Sequence, residues 1–166
     1  LTQLDPEVSD ALCTEMTRRL GIQVMLNSEV RDIRVDDTGH RVATVTLTDG
    51  TELVADCVLY SIGRSGATEE LGLAEAGVRM NSRGFILVDE HYRTTVPSIF
   101  AAGDVIGFPA LASTSMEQAR VAMCHAFDLR YKQRVSPVLP YGVWTVPEVA
   151  MVGETEDTAR VKGLSY

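Results

Sequence analysis

The sequence predicts an α/β or α+β fold carrying one antiparallel insertion, and three observations support that reading. Helical and extended segments are mixed along the chain rather than gathered into separate blocks. Between Ser28 and Val54 apolar residues alternate with a period of two across turn residues, as in an antiparallel meander. Two apolar extended runs end in glycine followed by a polar residue, Ile62-Gly63-Arg64 and Ala102-Gly103-Asp104. Open α/β sheets bind ligands at such strand ends.

Element by element, Asp5-Pro6-Glu7 opens a helix: Asp5 caps, Pro6 fits the first helical position and Glu7 favours its positive end. Val8, Leu12, Met16 and Leu20 mark its apolar face, and Gly21 ends it. Ile22–Leu26 reads as a short strand. The meander follows as Val30–Val35, Val42–Leu47 and Glu52–Val54, with turns at Asp37-Thr38-Gly39 and Asp49-Gly50. Asp56–Ile62 reads as a buried strand, Gly77–Met80 as an edge strand, Asn81–Gly84 as a turn and Phe85–Val88 as the next strand. The apolar strand Ile99–Ala102 then runs into Gly103-Asp104. A helix is expected over Ser113–Tyr131, with capping boxes from Thr114 with Glu117 and Ser115 with Gln118. Its expected buried stripe is Ala112, Met116, Ala119, Met123 and Phe127. After a linker, Gln133–Pro140, come strands at Val143–Val146 and Val149–Val152 and a helix from Thr155.

Composition narrows the class. The chain has 166 residues, 45% hydrophobic and 23% charged, which fits a globular domain with one good core. A net charge of −8 argues against a nucleic-acid or anionic-membrane surface, since both want a basic patch. No apolar run approaches a membrane span. Cys13, Cys57 and Cys124 lie far apart among apolar residues and read as buried free thiols in a reducing, cytoplasmic setting. The chain opens at Leu1 without methionine and stops soon after a helix-like stretch begins. We expect an internal piece of a longer polypeptide.

The chemistry-bearing residues cluster at Gly103-Asp104. Gly103 lets a ligand approach the backbone. Asp104, an acceptor when ionised, can take hydrogen bonds from sugar or ribityl hydroxyls. The helix behind it offers free N–H groups and a positive dipole end. Gly63 and Arg64 form the second strand end; Arg64 could meet a phosphate or ribose, or simply make a structural ion pair. The two ends are two nucleotide sites or two parts of one. No G-x-G-x-x-G, P-loop, H-E-x-x-H or paired-cysteine metal pattern occurs, so no metal is assigned. His40, His91 and His125 read as surface or packing residues, and no nucleophile or other catalytic residue is assigned.

These segments together resemble the two-dinucleotide-fold flavoprotein reductases, the family of lipoamide dehydrogenase, glutathione reductase and mercuric reductase. Ala55–Arg64 (ADCVLYSIGR) resembles the last strand of that family's NAD(P) domain, and Thr94–Val105 (TTVPSIFAAGDV) its second FAD motif. Pro140–Glu156 (PYGVWTVPEVAMVGETE) resembles the opening of its dimerisation domain. Leu4–Leu12, Ala55–Leu71 and Gly103–Ser113 are most similar to the family's soluble transhydrogenase branch. Ser65-Gly66-Ala67-Thr68 departs from the proline and asparagine usual in lipoamide dehydrogenases.

The resemblance implies a partial Rossmann-like FAD/NAD(P) fold with an antiparallel meander and the start of an α+β dimerisation domain. It implies boundaries at 1–80 for the end of the NAD(P) domain, 81–137 for the end of the FAD domain and 138–166 for the dimerisation domain. It implies FAD contacts at Gly103, Asp104, Ala110, Leu111, Ala112 and Ser113, and NAD(P) contacts at Gly63 and Arg64. Ala110–Ser113 would set N–H groups near the flavin pyrimidine edge, where the helix dipole favours negative charge. Hydride would pass between NADPH and NAD+ through FAD, in a homo-oligomer without nucleic-acid or membrane partners. The alternatives are a lipoamide dehydrogenase-like disulfide oxidoreductase and, from another class, a non-catalytic nucleotide-binding module.

Overall fold

A computed structural model of the chain describes residues 4–36 and 42–166. The chain divides into two compact units, Leu1–Ile62 with Trp144–Val149, and Gly63–Val143 with Ala150–Tyr166.

The first unit begins with helix α1, Pro6–Arg18. Asp5 is its N-cap and its carboxylate accepts from the Glu7 N–H at 3.1 Å. Leu12 is buried, Val8 and Met16 are half-buried and Leu20 is exposed, so the expected face is covered over its first three positions only. Gly21 follows at φ 67°, a backbone state that glycine adopts without steric cost. Ile22–Leu26 does not form a strand; the segment is irregular because among the described residues no strand pairs with it.

The meander forms as expected. Strands β1 (Val30–Asp36), β2 (Val42–Leu47) and β3 (Glu52–Ala55) make an antiparallel sheet with β2 in the centre. Ile33 faces Val45, which faces Leu53, and a bulge lies between Val30 and Asp32. Ala43, Val45 and Leu47 are buried because β2 has a neighbour on each edge. Gly50 turns the second hairpin at φ 89°, and Asp49 accepts from the Thr51 N–H at 2.8 Å. The expected Asp37-Thr38-Gly39 turn and His40 lie outside the described residues.

Asp56–Ile62 departs most from expectation. It carries no strand and every residue is exposed, Leu59 by 89%. An apolar strand is buried when it is paired on both edges and covered on both faces. Among the described residues nothing pairs with this one, and Cys57 is exposed with it. Cys13 is half-buried and Cys124 buried; all three thiols are free.

In the second unit most of the expected strands shrink to single bridges. Gly77–Met80 and Phe85–Val88 meet only at Met80–Ile86, and Ile99–Ala102 only through Arg93–Phe100. The Asn81–Gly84 turn is present, with Gly84 N–H donating to the Asn81 carbonyl at 3.1 Å. Helix α2 spans Ala112–Ala126, starting one residue earlier and ending five earlier than expected. It buries Thr114, Gln118, Val121, Ala122 and Cys124. The predicted stripe is therefore on the wrong face: Met116, Met123 and Phe127 are 53–66% exposed. Strand β4 is Pro140–Val143 rather than Val143–Val146; it pairs with β5, Val149–Val152. Helix α3, Glu156–Val161, starts at Thr155 as expected, closed by a capping box with Thr158. No helix among the described residues is long and apolar enough to cross a membrane.

Candidate functional site

The site is built around a turn between two glycines. Asp104–Ile106 is a single 3-10 turn, with Gly103 before it at φ 84°, ψ −154° and Gly107 after it at φ 96°, ψ −147°. Both pairs of angles lie in a region that essentially only glycine occupies, so the chain can bend sharply at each end. Gly103 is buried, and a Cβ there would meet Ser115 Oγ at 3.1 Å. Its N–H donates to Gln118 Oε1 at 2.8 Å, a bond that ties the turn to α2. Gly107 packs on Phe85, whose ring would lie 3.5 Å from a Cβ at that position. Ile86 N–H donates to the Val105 carbonyl at 2.9 Å, fixing the middle of the turn.

Asp104 points outward from this frame and stays about half exposed. Its Oδ2 accepts from Arg64 Nη1 at 2.5 Å, a short charge-assisted contact. The two strand ends read separately in the sequence thus meet at one place, forty residues apart in the chain. The pair is too exposed to add much stability; such pairs are worth about 0–1 kcal/mol. What it fixes is orientation: Oδ2 is committed to Arg64 on a half-exposed side chain, which leaves Oδ1 as the remaining acceptor.

Arg64 is held from the other side. Its carbonyl accepts from Arg83 Nη2 at 3.1 Å, and Gly66 N–H donates to the Arg83 carbonyl at 3.2 Å. Thr68 Oγ1 donates to the Gly84 carbonyl at 2.8 Å. The two segments pack so closely that a Cβ on Gly66 would lie 2.2 Å from the Gly84 carbonyl oxygen. Gly63 precedes this zipper at φ 148°, exposed and with open space around it.

The start of α2 supplies donors. Leu111 is the N-cap with extended angles and no side-chain cap, so the first-turn N–H groups are not closed off by a local side chain. Neither expected capping box forms. Gln118 is taken by Gly103, and Glu117 is paired with Arg120 and Lys132. Ser115 Oγ turns back to the Leu111 carbonyl at 2.9 Å. Thr114 Oγ1 is buried without a partner. Ala110, Ala112 and Ser113 are exposed and Leu111 is half-buried. Ser113 also lines a concavity of about 540 Å³ with Tyr141, Gly142, Ala150, Met151 and Val152.

Two features escaped the sequence reading. Asp89 Oδ1 accepts the His91 and Arg93 N–H groups, each at 2.9 Å. Burial pushes its carboxyl up, but these bonds and the nearby His91 and Arg93 charges hold it below the usual value. The His91 and His125 rings stack at 3.6 Å, so both act in packing, joining the turn after Asp89 to the end of α2. An aspartate heading a turn was the available signal for the first; for the second, packing was among the roles read for each histidine, but nothing in the sequence announces their stacking on one another.

Chemically, the arrangement offers one oriented carboxylate for hydroxyl groups and a set of N–H donors for an electron-rich edge. Among the described residues no cluster of three or more His, Cys, Asp or Glu could hold a metal ion.

Comparison with known proteins gives a consistent picture. The family described as pyridine nucleotide-disulphide oxidoreductase matches residues 1–126. The soluble pyridine nucleotide transhydrogenase of Marinobacter nauticus is 44% identical over 156 residues, 94% of this chain and 33% of that protein. The enzyme of the same name from Mycobacterium bovis is 43% identical over 162 residues, 98% of this chain and 34% of that protein. Among solved structures, LpdA from Mycobacterium tuberculosis superposes with a TM-score of 0.81 at 29% identity, covering 97% of this chain and 34% of that one. The HOCl-induced flavoprotein disulfide reductase RclA from Escherichia coli gives 0.84 at 28%, covering 98% and 37%. The chain spans about a third of the length of the curated relatives it matches.

Proposed function

The chain belongs to the pyridine nucleotide-disulphide oxidoreductase family, and from that premise we propose that it forms part of an FAD-dependent soluble transhydrogenase moving hydride between NADPH and NAD+. The observation that carries the flavin reading is the outward Asp104 carboxylate on its two-glycine turn, in the same compact unit as the side-chain-uncapped start of α2. This donor and acceptor set fits the group. Asp104 would accept from ribityl hydroxyls, Gly103 would admit the close approach, and Ala110, Ala112 and Ser113 would present N–H groups to the pyrimidine edge, while Leu111, whose N–H donates to the Pro109 carbonyl at 2.9 Å, would line it. FAD, when bound, supplies hydride acceptance and donation. The α2 dipole favours negative charge at that edge without reorganising.

Gly63 stands as the nicotinamide-side contact. We assign Arg64 to the flavin side, because its guanidinium is on Asp104. The boundaries proposed are 1–80, 81–137 and 138–166 for the NAD(P), FAD and dimerisation portions. The working protein is a longer, homo-oligomeric, cytoplasmic polypeptide, and the isolated 166 residues bind FAD weakly and turn over nothing. Stoichiometric yellow flavin surviving purification of these residues alone would contradict that.

The transhydrogenase reading rests on identities of 43–44% across nearly the whole chain. A second reading, a disulfide reductase, is favoured by the likeness to RclA. Purified full-length polypeptide should transfer hydride from NADPH to an NAD+ analogue and leave lipoamide untouched. Efficient lipoamide turnover without transhydrogenation would decide for the second reading.

A further inference from the structure

We infer that Arg83 is a positioning residue for the Arg64–Asp104 pair, and through it for flavin binding; the inference rests on the flavin reading above. Arg83 lies on an exposed turn, and its guanidinium hydrogen-bonds the Arg64 carbonyl. Its backbone is pinned, because Asn81 Oδ1 accepts both the Arg83 N–H at 2.9 Å and the Phe85 N–H at 3.1 Å. From that fixed point the guanidinium does two things. Nη2 donates to the Arg64 carbonyl at 3.1 Å, and the guanidinium carbon sits 5.2 Å from the Phe85 ring centroid.

Phe85 in turn packs on Gly107, the far end of the Asp104 turn. Contacts therefore run in a closed ring, from Arg64 to Asp104, along the turn to Gly107, on to Phe85, then Arg83 and back to Arg64. Every member lies in one compact unit. Arg64 is long and 70% exposed, so holding it on Asp104 costs rotamer freedom. Arg83 lowers that cost by fixing the peptide from which Arg64 extends. Without Arg83, Arg64 and the Asp104 carboxylate lose their shared orientation, and Oδ1 is no longer presented in one direction.

The test uses flavin-free full-length polypeptide and measures FAD affinity by flavin fluorescence for wild type, Asp104→Asn, Arg83→Met, Arg83→Lys and the double variant Arg83→Met/Asp104→Asn. Arg83→Met should weaken FAD binding about fivefold, as expected for loss of one exposed hydrogen bond. Lysine, which keeps a donor and a cation, should recover most of that. The double variant should bind no more than about twofold worse than Asp104→Asn alone, because the two residues act in one chain of contacts. The flavin-free thermal midpoint should fall by no more than one exposed hydrogen bond is worth, and lysine should restore it. Wild-type affinity in Arg83→Met, independent losses in the double variant, or a lowered midpoint without lysine rescue would overturn the inference. If Asp104→Asn itself binds FAD like wild type, the flavin reading fails instead.

Discussion

Gln118 and Thr114 sit one turn apart on α2, equally buried at 4% and 2% exposure, yet the structure assigns their replacement opposite effects. Gln118→Leu removes the acceptor of the Gly103 N–H, a 2.8 Å bond inside a buried glycine turn. The N–H stays buried, so its desolvation goes uncompensated, at a cost of about 1–3 kcal/mol. Thr114→Val removes a hydroxyl that has no partner to lose. Burying an unpaired hydroxyl is itself unfavourable, so valine should leave stability unchanged or raise it by about 1 kcal/mol. Equilibrium urea unfolding followed by circular dichroism reads both, and amide exchange at Gly103 reads the local effect, faster in Gln118→Leu only. Equal destabilisation by the two substitutions, or wild-type stability in Gln118→Leu, would refute the reasoning that the Gln118 bond organises the turn.

Other outcomes follow from the same geometry. Gly66→Ala would place a Cβ 2.2 Å from the Gly84 carbonyl oxygen and 2.8 Å from its carbon, and backbone cannot yield there. Unfolding measurements should show a loss of about 3 kcal/mol, while Gly142→Ala, with open space around it, should stay within about 0.5 kcal/mol of wild type. Asp89 carries a pH signature. Its folded value is depressed below the ordinary 3.8, so its contribution is present above that pH and is lost as pH falls through the folded value. The stability gap between wild type and Asp89→Asn, followed by acid titration, should therefore close below about pH 4 and be constant above it.

Much of the fold was legible where local signals were self-sufficient. Asp5-Pro6-Glu7 set the start of α1, alternation and turn residues set the meander, and Thr155 marked the start of α3. The face of α2 was not. Two stripes compete along that helix, and the apolar one through Met116 and Met123 invites burial. The stripe that is buried carries two polar residues, and Gln118 is paid for by a bond to a glycine fifteen residues away. Asp56–Ile62 was misread for a related reason: apolar sequence makes a buried strand only where neighbours pair with it. At the site, the sequence marked Gly103, Asp104, Gly63 and Arg64 as strand-end residues. The Arg64–Asp104 contact and the Arg83 clamp depend on tertiary approach, which spacing along the chain does not encode.

If the proposed transhydrogenase function holds, flavin alone carries the redox chemistry of the full-length protein. An anaerobic dithionite titration of that holoprotein, followed at the flavin absorption band, tests it most directly. A single electron pair per flavin should complete the reduction. Uptake of two electron pairs per flavin would reveal a redox disulfide beside it and contradict the transhydrogenase reading in favour of a disulfide reductase.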